Sequence, residues 1–270
     1  MNEPIFVTGA SGFAGKSLAK YLEKKNFKVI KASFTNRKNK KIDLTKKISL
    51  KGNFNWIIHT AAHHKIEDFE KKSNLKAKRN ISMVNNLLDF AKKNKIKNFI
   101  FFSTIDINYS RFPSKKIIYI KSKIFCEKIL FIALKKKILK KLIILRLPAI
   151  VGKLSNDNFV KKILQNLKKN KPLNIWNKND KFNNLIHTND LNKLINYFIT
   201  NNDKRKKIVI DCLSSKPIRL MNLIFNLKKK LRSKSKINFI DSKTKFKKIE
   251  FNSKINYKFF SVKKVINSLI

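Results

Sequence analysis

Tyr119 and Lys123 lie four residues apart in the stretch YIKSK, which places a phenol and an ammonium group one turn apart on a helix. A free tyrosine has a pKa of about 10 and is a poor base at neutral pH. A neighbouring cation stabilises the phenolate and lowers that pKa, which would suit Tyr119 to proton transfer. The same spacing occurs at Tyr21 and Lys25 in this lysine-rich chain, so spacing alone does not identify a catalytic pair.

Three of the five glycines of the chain, Gly9, Gly12 and Gly15, lie within the stretch TGASGFAG, which also contains Ser11 and Phe13. The cluster falls between a predicted strand and a predicted helix. Glycine there permits a tight turn and lets a pyrophosphate approach the backbone, while the start of the helix attracts the anion. The cluster therefore predicts a dinucleotide-binding turn.

Apolar stretches alternate with stretches of helical periodicity through the first half of the chain. The predicted strands are 5–9, 27–34, 56–62, 98–104 and 141–147. The predicted helices are 18–26, 81–94 and 119–137. This alternation predicts an α/β fold of the Rossmann-like, doubly wound kind, in which helices cover both faces of a parallel sheet.

The regular alternation loosens after Pro148. The segments predicted there are helices at 158–169 and 189–199 and strands at 207–213 and 236–240. We therefore predict a dinucleotide-binding domain at residues 1–150. Residues 151–270 are predicted to form a smaller substrate-binding lobe that is interleaved with the last strands of the sheet.

The chain has 270 residues, of which 43% are hydrophobic, so it can bury a sizeable core. Its formal net charge of +48 first suggests a nucleic-acid binder. Only seven of the 64 basic residues are arginine, however, and the lysines are spread along the whole chain. We therefore expect no specific nucleic-acid partner, and a positive field that attracts anionic substrates.

Cysteine and histidine usage argues against a disulfide scaffold or a metal site. Cys126 and Cys212 are far apart in the sequence. His63 and His64 have no third ligand at metal spacing, and they either reach substrate or lie in a surface loop. The chain begins without a basic n-region, and its apolar runs are too short to cross a bilayer, so we expect a cytoplasmic protein with no membrane association.

Two motifs together resemble the short-chain dehydrogenase/reductase family, in its extended branch of sugar-nucleotide epimerases, dehydratases and reductases. They are the spacing G-x-x-G-x-x-G after Val-Thr, and Y-x-K-S-K-x-x-x-E at 119–127, where Ile120 replaces the usual glycine. The resemblance implies that Tyr119 exchanges a proton as hydride moves to or from nicotinamide. It also implies that Lys123 binds the nicotinamide ribose and that Thr104, with Ser103 in reserve, hydrogen-bonds the substrate oxygen.

The resemblance further implies a set of cofactor contacts. Besides the glycine turn and Lys123, the residues implied are Asp43 and Leu44 at the adenine, Thr60, Ala61 and Ala62 along the dinucleotide, Asn80 near the active site, and Pro148 at the carboxamide. No acidic residue ends the second strand to bind a ribose hydroxyl, and Arg37 or Lys38 could meet a 2′-phosphate. These features favour NADP, and NAD stays open.

The resemblance leaves the reaction open. Ile105 stands where the family's dehydratases have an acid after the threonine, which argues against a 4,6-dehydratase. An epimerase or a reductase acting on a nucleotide sugar remains, the alternatives being a 4-keto-sugar reductase similar to dTDP-4-dehydrorhamnose reductases and a non-catalytic dinucleotide-binding protein. The family often pairs through the helices that bear Asn80 and Tyr119, so a homodimer is a further expectation.

Overall fold

The computed structural model of the chain describes residues 3–34, 40–64, 73–108, 116–153, 155, 158–201, 203–240 and 255–270. The chain divides into two compact units. The first unit contains the described residues of Met1–Leu147 and Leu191–Cys212. The second contains the described residues of Pro148–Asp190, Leu213–Phe251 and Ile255–Ile270.

The first unit is built on a seven-stranded parallel sheet. Its strands are β1 (Ile5–Thr8), β2 (Val29–Ser33), β3 (Lys40–Lys41), β4 (Trp56–His59), β5 (Asn98–Thr104), β6 (Lys141–Leu147) and β11 (Lys207–Asp211). They are ordered β11-β6-β5-β4-β1-β2-β3. Every residue of β1 and β4 is buried, as expected for a parallel sheet that is covered on both faces. The predicted Rossmann-like α/β fold is confirmed, and β3 is a strand that the sequence did not indicate.

Helices cover this sheet and complete its core. They are α1 (Phe13–Lys24), α2 (Ser73–Lys93), α3 (Ile117–Lys135) and, from Leu191 onward, α5 (Thr188–Thr200). An aromatic cluster joins α2 to the sheet, since the ring of Phe6 lies 5.0 Å from that of Phe90 and 5.7 Å from that of Phe54. Burial of such large apolar rings is the main stabilising contribution to a core of this kind.

The second unit contains three two-stranded ladders and its own core. Its strands are β7 (Ala149–Val151), β8 (Leu173–Trp176), β9 (Lys181–Phe182), β10 (Leu185–His187), β12 (Ile218–Arg219) and β13 (Ile237–Ile240), paired as β10-β7, β12-β9 and β13-β8. Its helices are α4 (Phe159–Lys168), α6 (Leu220–Lys230) and α7 (Val262–Asn267). None of the helices in the described parts of either unit is long and apolar enough to cross a membrane.

A fully buried carboxylate anchors the last segment of the second unit. Asp190 accepts a hydrogen bond of 2.7 Å from the Tyr257 hydroxyl and another of 2.7 Å from the Phe260 amide. Charge-assisted bonds of this kind offset the cost of burying a carboxylate. Asp190 therefore has a structural role within this unit.

Candidate active site

The turn between β1 and α1 is closed by two glycines whose positions leave no room for a side chain. Gly9 has a φ of +69°, in the left-handed region that favours glycine. A Cβ atom at Gly9 would lie 2.7 Å from the Ala61 nitrogen and 2.7 Å from Thr60 Oγ1. A Cβ atom at Gly15 would overlap the carbonyl oxygen of Gly9. Strand, turn and helix are therefore in close backbone contact, which only glycine allows.

Gly12 differs from these two, because the described part of the fold does not require a glycine there. Its φ of −74° is open to any residue, and a Cβ atom would approach only the Gly9 carbonyl oxygen, at 3.3 Å. Gly12 is the exposed N-cap of α1, whose first residue is Phe13, and no side chain caps this helix. The first amides of α1 and its positive dipole end therefore form a surface suited to an anion.

Ser11 in the glycine turn is joined to the end of β2. Ser33 donates a hydrogen bond of 2.7 Å to Ser11 Oγ. The next residue, Phe34, is 61% exposed, and the described part of this strand end has no acidic side chain. Arg37, predicted to meet a 2′-phosphate, lies outside the described residues.

Asp43 and Leu44, the predicted adenine contacts, follow β3 and differ in exposure. Asp43 accepts hydrogen bonds from the Thr45 hydroxyl at 2.6 Å and the Thr45 amide at 2.9 Å. The bond from the Thr45 hydroxyl is the main reason that the pKa of Asp43 is below its ordinary value. The Leu44 side chain is buried in the core. Of this pair, only Asp43 has a partly exposed side chain.

The end of β4 is tied to the glycine turn by hydrogen bonds. Thr60 donates from its hydroxyl to the Thr8 carbonyl at 2.7 Å, and the buried Thr8 hydroxyl lies 2.8 Å from Nδ1 of His59. Burial lowers the pKa of His59 to about 3, and the charge of Lys123 adds to this effect, so the ring is neutral. His59 thus supports the turn as a neutral hydrogen-bonding group, a role that the sequence did not indicate.

Asn80 lies within α2 and holds the segment that follows β4. Its side-chain oxygen accepts a hydrogen bond of 2.9 Å from the His63 amide, and its side-chain nitrogen donates to the His63 carbonyl at 3.1 Å. The same nitrogen lies 3.5 Å from Ser122 Oγ in α3. Asn80 therefore fixes the backbone after Ala61 and Ala62, and we interpret it as a positioning residue.

Lys123 is buried in α3 beside the end of β5. Its Nζ donates a hydrogen bond of 2.7 Å to the Phe102 carbonyl and lies 5.9 Å from the centroid of the Tyr119 ring. Burial lowers the pKa of Lys123 to about 8, although Cys126 and Glu127 act to raise it. The ammonium form therefore predominates at neutral pH.

Tyr119 is the third residue of α3, and its pKa is shifted in the direction opposite to the prediction. Burial raises the pKa of Tyr119 above its ordinary value, and Asp106 and Cys126 raise it further. The expected lowering by Lys123 is therefore wrong for the protein on its own, because loss of water and the Asp106 carboxylate raise the pKa of Tyr119. The phenol is protonated at neutral pH and is suited to donating a proton.

Thr104 and Ser103 end β5, and successive side chains of a strand face opposite sides. The buried Ser103 hydroxyl donates a hydrogen bond of 2.6 Å to Glu127 Oε1. Thr104 Oγ1 accepts a hydrogen bond of 3.3 Å from the Asp106 amide, so its own proton can be donated elsewhere. The proton of the Ser103 hydroxyl is therefore used by Glu127, whereas no hydrogen bond described for Thr104 uses the proton of its hydroxyl.

An ion pair between partly exposed Arg146 of β6 and buried Glu127 of α3 completes this region. Arg146 donates from Nη2 to Glu127 Oε2 at 2.8 Å and from Nε to Oε1 at 3.2 Å. Its Nη1 donates to Asn108 at 3.0 Å, and Asn108 donates to Asp211 at 2.9 Å. Sequence reasoning gave Arg146 no role, since nothing local to either residue indicates a pairing between a helix and the next strand.

These side chains meet because parallel strands end at one edge of the sheet. The glycine turn, Thr60 and Thr104 lie at the carboxyl ends of β1, β4 and β5, which are neighbours in the sheet. Helix α3, with Tyr119 and Lys123, contacts β5 and β6. Pro148 follows β6 directly and is the first residue of the second unit.

The first unit combines a parallel sheet, a glycine turn after the first strand and the uncapped start of a helix behind that turn. These features define the class of dinucleotide-binding α/β proteins. The Tyr119 and Lys123 pair lies beside the same edge of the sheet. The sequence model of the NAD dependent epimerase/dehydratase family matches residues 5–211, and the chain belongs to this family. The family expected from the two motifs is thereby confirmed.

Solved structures that match the fold cover nearly the whole chain. UDP-glucose 4-epimerase from Thermotoga maritima, with UDP-glucose, has a TM-score of 0.80 at 18% identity and covers 99% of this chain and 97% of its own. The dTDP-4-dehydrorhamnose reductase from Bacillus anthracis, in complex with NADP, has a TM-score of 0.74 at 19% identity, with coverage of 98% and 96%. UDP-N-acetylglucosamine 4-epimerase from Bacillus cereus has a TM-score of 0.70 at 18% identity, with coverage of 99% and 95%. These identities establish the fold alone, and no curated protein sequence matches significantly.

Proposed function

We propose that the protein is an NAD(P)-dependent epimerase or reductase that acts on a nucleotide sugar. The observation that carries this proposal is the meeting of two features at one sheet edge. One is a glycine turn with an uncapped helix start, and the other is a protonated Tyr119 one helical turn from a buried Lys123. The first is suited to a pyrophosphate, and the second to proton exchange.

The residues present fit a dinucleotide cofactor. Gly12 leaves open the space over the start of α1, where a pyrophosphate would accept hydrogen bonds from the helix amides. Ala61 and Ala62 would lie along the dinucleotide, and Asp43 near the adenine. Ser33 ends β2 and Phe34 follows it, so the described part of this strand end has no acid, which favours NADP over NAD.

Within this site we assign proton transfer to Tyr119. A bound nicotinamide cofactor would supply or accept a hydride. In the reducing direction, Tyr119 would donate its phenol proton to the oxygen of the sugar carbonyl, which would leave an alcohol on the sugar and a phenolate on Tyr119. Thr104 donates a hydrogen bond to the same oxygen, and the Lys123 ammonium stabilises the phenolate that forms.

A 4-keto-sugar reductase is the second, more specific candidate. A phenol that holds its proton can donate it to a ketone, a step that a reductase and the reducing half-reaction of an epimerase share. The raised pKa of Tyr119 is therefore compatible with both candidates. The product formed from a nucleotide-sugar panel distinguishes them, and assignment of the second unit to substrate binding stays a prediction.

A homodimer through α2 and α3 is a further part of the proposal. Phe125 and Ile132 lie seven residues apart on one face of α3 and are 52% and 54% exposed, and Leu75 of α2 is 47% exposed. Light scattering should report a dimer that Phe125→Glu dissociates, whereas Phe225→Glu, at a similarly exposed position of α6, should not. A monomeric wild-type protein would contradict this part.

Two measurements test the enzymatic proposal. Titration of the protein with NADPH or NADH should shift the nicotinamide fluorescence of at least one of them. If neither cofactor shows a shift, the proposed dinucleotide site is wrong. Incubation with a panel of nucleotide sugars and 4-keto nucleotide sugars, with and without NADPH, should then give turnover. Cofactor binding without turnover of any panel member would instead indicate a dinucleotide-binding protein that is not an enzyme.

A further inference from the structure

Glu127 is the centre of a buried hydrogen-bond network on α3, and both of its carboxylate oxygens are engaged. Oε1 accepts from Ser103 at 2.6 Å and from Arg146 Nε at 3.2 Å, and Oε2 accepts from Arg146 Nη2 at 2.8 Å. The Glu127 side chain is only 4% exposed. A fork of this kind fixes a carboxylate in orientation as well as in position.

Glu127 also lies one helical turn after Lys123, at a spacing where glutamate and lysine commonly form an ion pair. Within the described part of the chain these two residues form no salt bridge with each other, and Glu127 pairs with Arg146 instead. The Lys123 ammonium instead donates to the Phe102 carbonyl at 2.7 Å, at the end of β5 that holds Thr104. An interaction is therefore needed that keeps these two opposite charges, on adjacent turns of the buried face of α3, from pairing.

We propose that Arg146, together with Ser103, holds the Glu127 carboxylate away from Lys123 and thereby keeps the ammonium beside Tyr119. Arg146 is a positioning residue in this arrangement, since it acts through Glu127 and Lys123. The inference rests on the proposed function only in so far as Lys123 serves the reaction. The placement of Lys123 itself can be tested without any turnover.

Arg146 is held in a position from which it can pair with the Glu127 carboxylate in preference to Lys123. Its third nitrogen donates to Asn108, which in turn donates to Asp211, so the guanidinium is anchored on the side opposite Glu127. Asn108 ends the 3-10 helix Ile105–Asn108 that follows Thr104. Because a lysine cannot form a fork, only arginine can engage both oxygens of Glu127 while it bonds to Asn108.

The competition predicts opposite changes in the pKa of Lys123 for two substitutions. Arg146→Met frees Glu127 to pair with Lys123, which should raise the pKa of Lys123 from its wild-type value by at least about 1. Glu127→Gln removes the negative charge that supports the ammonium, which should lower that pKa. Both can be measured by carbon NMR of protein labelled at the lysine ε-carbon, with Lys123→Arg identifying the signal.

A purely structural role for the ion pair predicts a different pattern. Both variants would then lose thermal stability, and the Lys123 titration would change only through the charge that each variant removes. Arg146→Lys, which keeps that charge, would leave the Lys123 titration unchanged, and that result would overturn the proposal. Removing the partner of a buried charge is severely destabilising, so Arg146→Met could fail to fold. Arg146→Lys, which loses the fork, then replaces it with the same expected sign.

Turnover provides an independent readout once a substrate is known. Arg146→Met should lower kcat about 100-fold, as a misplacement near 1 Å does, and adding Glu127→Gln should restore roughly tenfold of that loss. Losses that simply multiply in the double variant would contradict the competition. Arg205→Met, which removes a guanidinium paired with Asp203 in the same unit, is the matched control and should leave kcat unchanged. If the wild-type protein shows no turnover while the two variants show the expected changes in the pKa of Lys123, the proposed function is wrong and this inference still holds.

Discussion

The glycine turn and helix α3 flank the same sheet edge, yet they are built in opposite ways. The turn is defined by side chains that are missing, since Cβ atoms at Gly9 and Gly15 would collide with the backbone or with Thr60. Helix α3 is defined by polar side chains that are present and buried, among them Lys123 and Glu127. The turn consists of close-packed backbone, whereas α3 carries charged side chains that are buried away from water.

This difference separates the positions that limit stability from those that limit function. Adding atoms at Gly9 or Gly15 disturbs packing, so most of the effect there should fall on folding. Burying the Lys123 ammonium on α3 costs free energy that packing does not offset. Such a cost is common where a functional site needs a charge away from water. Substitutions in the two regions should therefore differ in sign as well as in size.

The largest effect is expected at Tyr119. Tyr119→Phe removes the proton donor and leaves the ring, so kcat should fall about 1,000-fold, or about 4 kcal/mol in activation free energy. Cofactor affinity, measured by nicotinamide fluorescence, should stay close to that of wild type. Tyr21→Phe changes the other tyrosine with a lysine four residues later and serves as the control, which should retain full turnover. Undiminished activity in Tyr119→Phe would mean that the proton comes from another group.

The next effect is a gain in stability at Lys123. The folded-state pKa of Lys123, about 8, is below the ordinary value of 10.5, so the buried ammonium opposes folding below about pH 8. Between these two values the unfolded chain binds more protons than the folded protein, and stability therefore rises with pH. Lys123→Met should stabilise the protein at pH 7 by up to roughly 3 kcal/mol while it abolishes turnover.

Urea denaturation across the pH range tests this prediction. The stability difference between Lys123→Met and wild type should be largest near neutrality and shrink as the pH rises towards 10.5. Lys121→Met, at an exposed position of the same helix, should show no such trend. A difference that does not depend on pH would mean that Lys123 is not the buried cation that its geometry indicates.

The sequence predicted the glycine turn better than the helices, because the turn depends on a local signal. Three glycines in a glycine-poor chain between a strand and a helix are a local signal, and the turn forms where that signal lies. The start of α1 at Phe13, ahead of the predicted residue 18, was missed because alanine and glycine carry no apolar periodicity. Helix α2 likewise starts at Ser73, well before the predicted residue 81.

The charges of the site could not be derived in this way. The direction of the Tyr119 pKa shift depends on how deeply the phenol is buried and on Asp106, which is 13 residues earlier in the chain. The assignment of Ser103 depends on Glu127, and that of Glu127 on Arg146 from the following strand. Burial and long-range pairing arise only when the elements pack, so the motif indicated which residues matter but not their protonation.

A smaller effect is expected within the turn itself, at Gly15. The added methyl group of Gly15→Ala would overlap the Gly9 carbonyl and approach Thr60 Oγ1 at 2.6 Å, and backbone cannot move aside easily. Overpacking of this kind should cost about 2 kcal/mol in the free energy of unfolding, more than alanine gains as a helix former. Chemical denaturation measures the loss. A stability equal to that of wild type would mean that strand, turn and helix are less closely joined than the structure shows.

The smallest effect is expected at Gly12, and it should appear in binding rather than in folding. A methyl group there meets only the Gly9 carbonyl, at 3.3 Å, so Gly12→Ala should change the free energy of unfolding by less than about 1 kcal/mol. The same methyl group would occupy the space over the uncapped start of α1 that we assign to a pyrophosphate. NADPH affinity, followed by fluorescence titration, should therefore fall about tenfold in Gly12→Ala and further in Gly12→Val, since displaced phosphate–amide hydrogen bonds cost this much. Wild-type affinity in both variants would place the pyrophosphate elsewhere, and a stability loss as large as that of Gly15→Ala would remove the distinction between the two glycines.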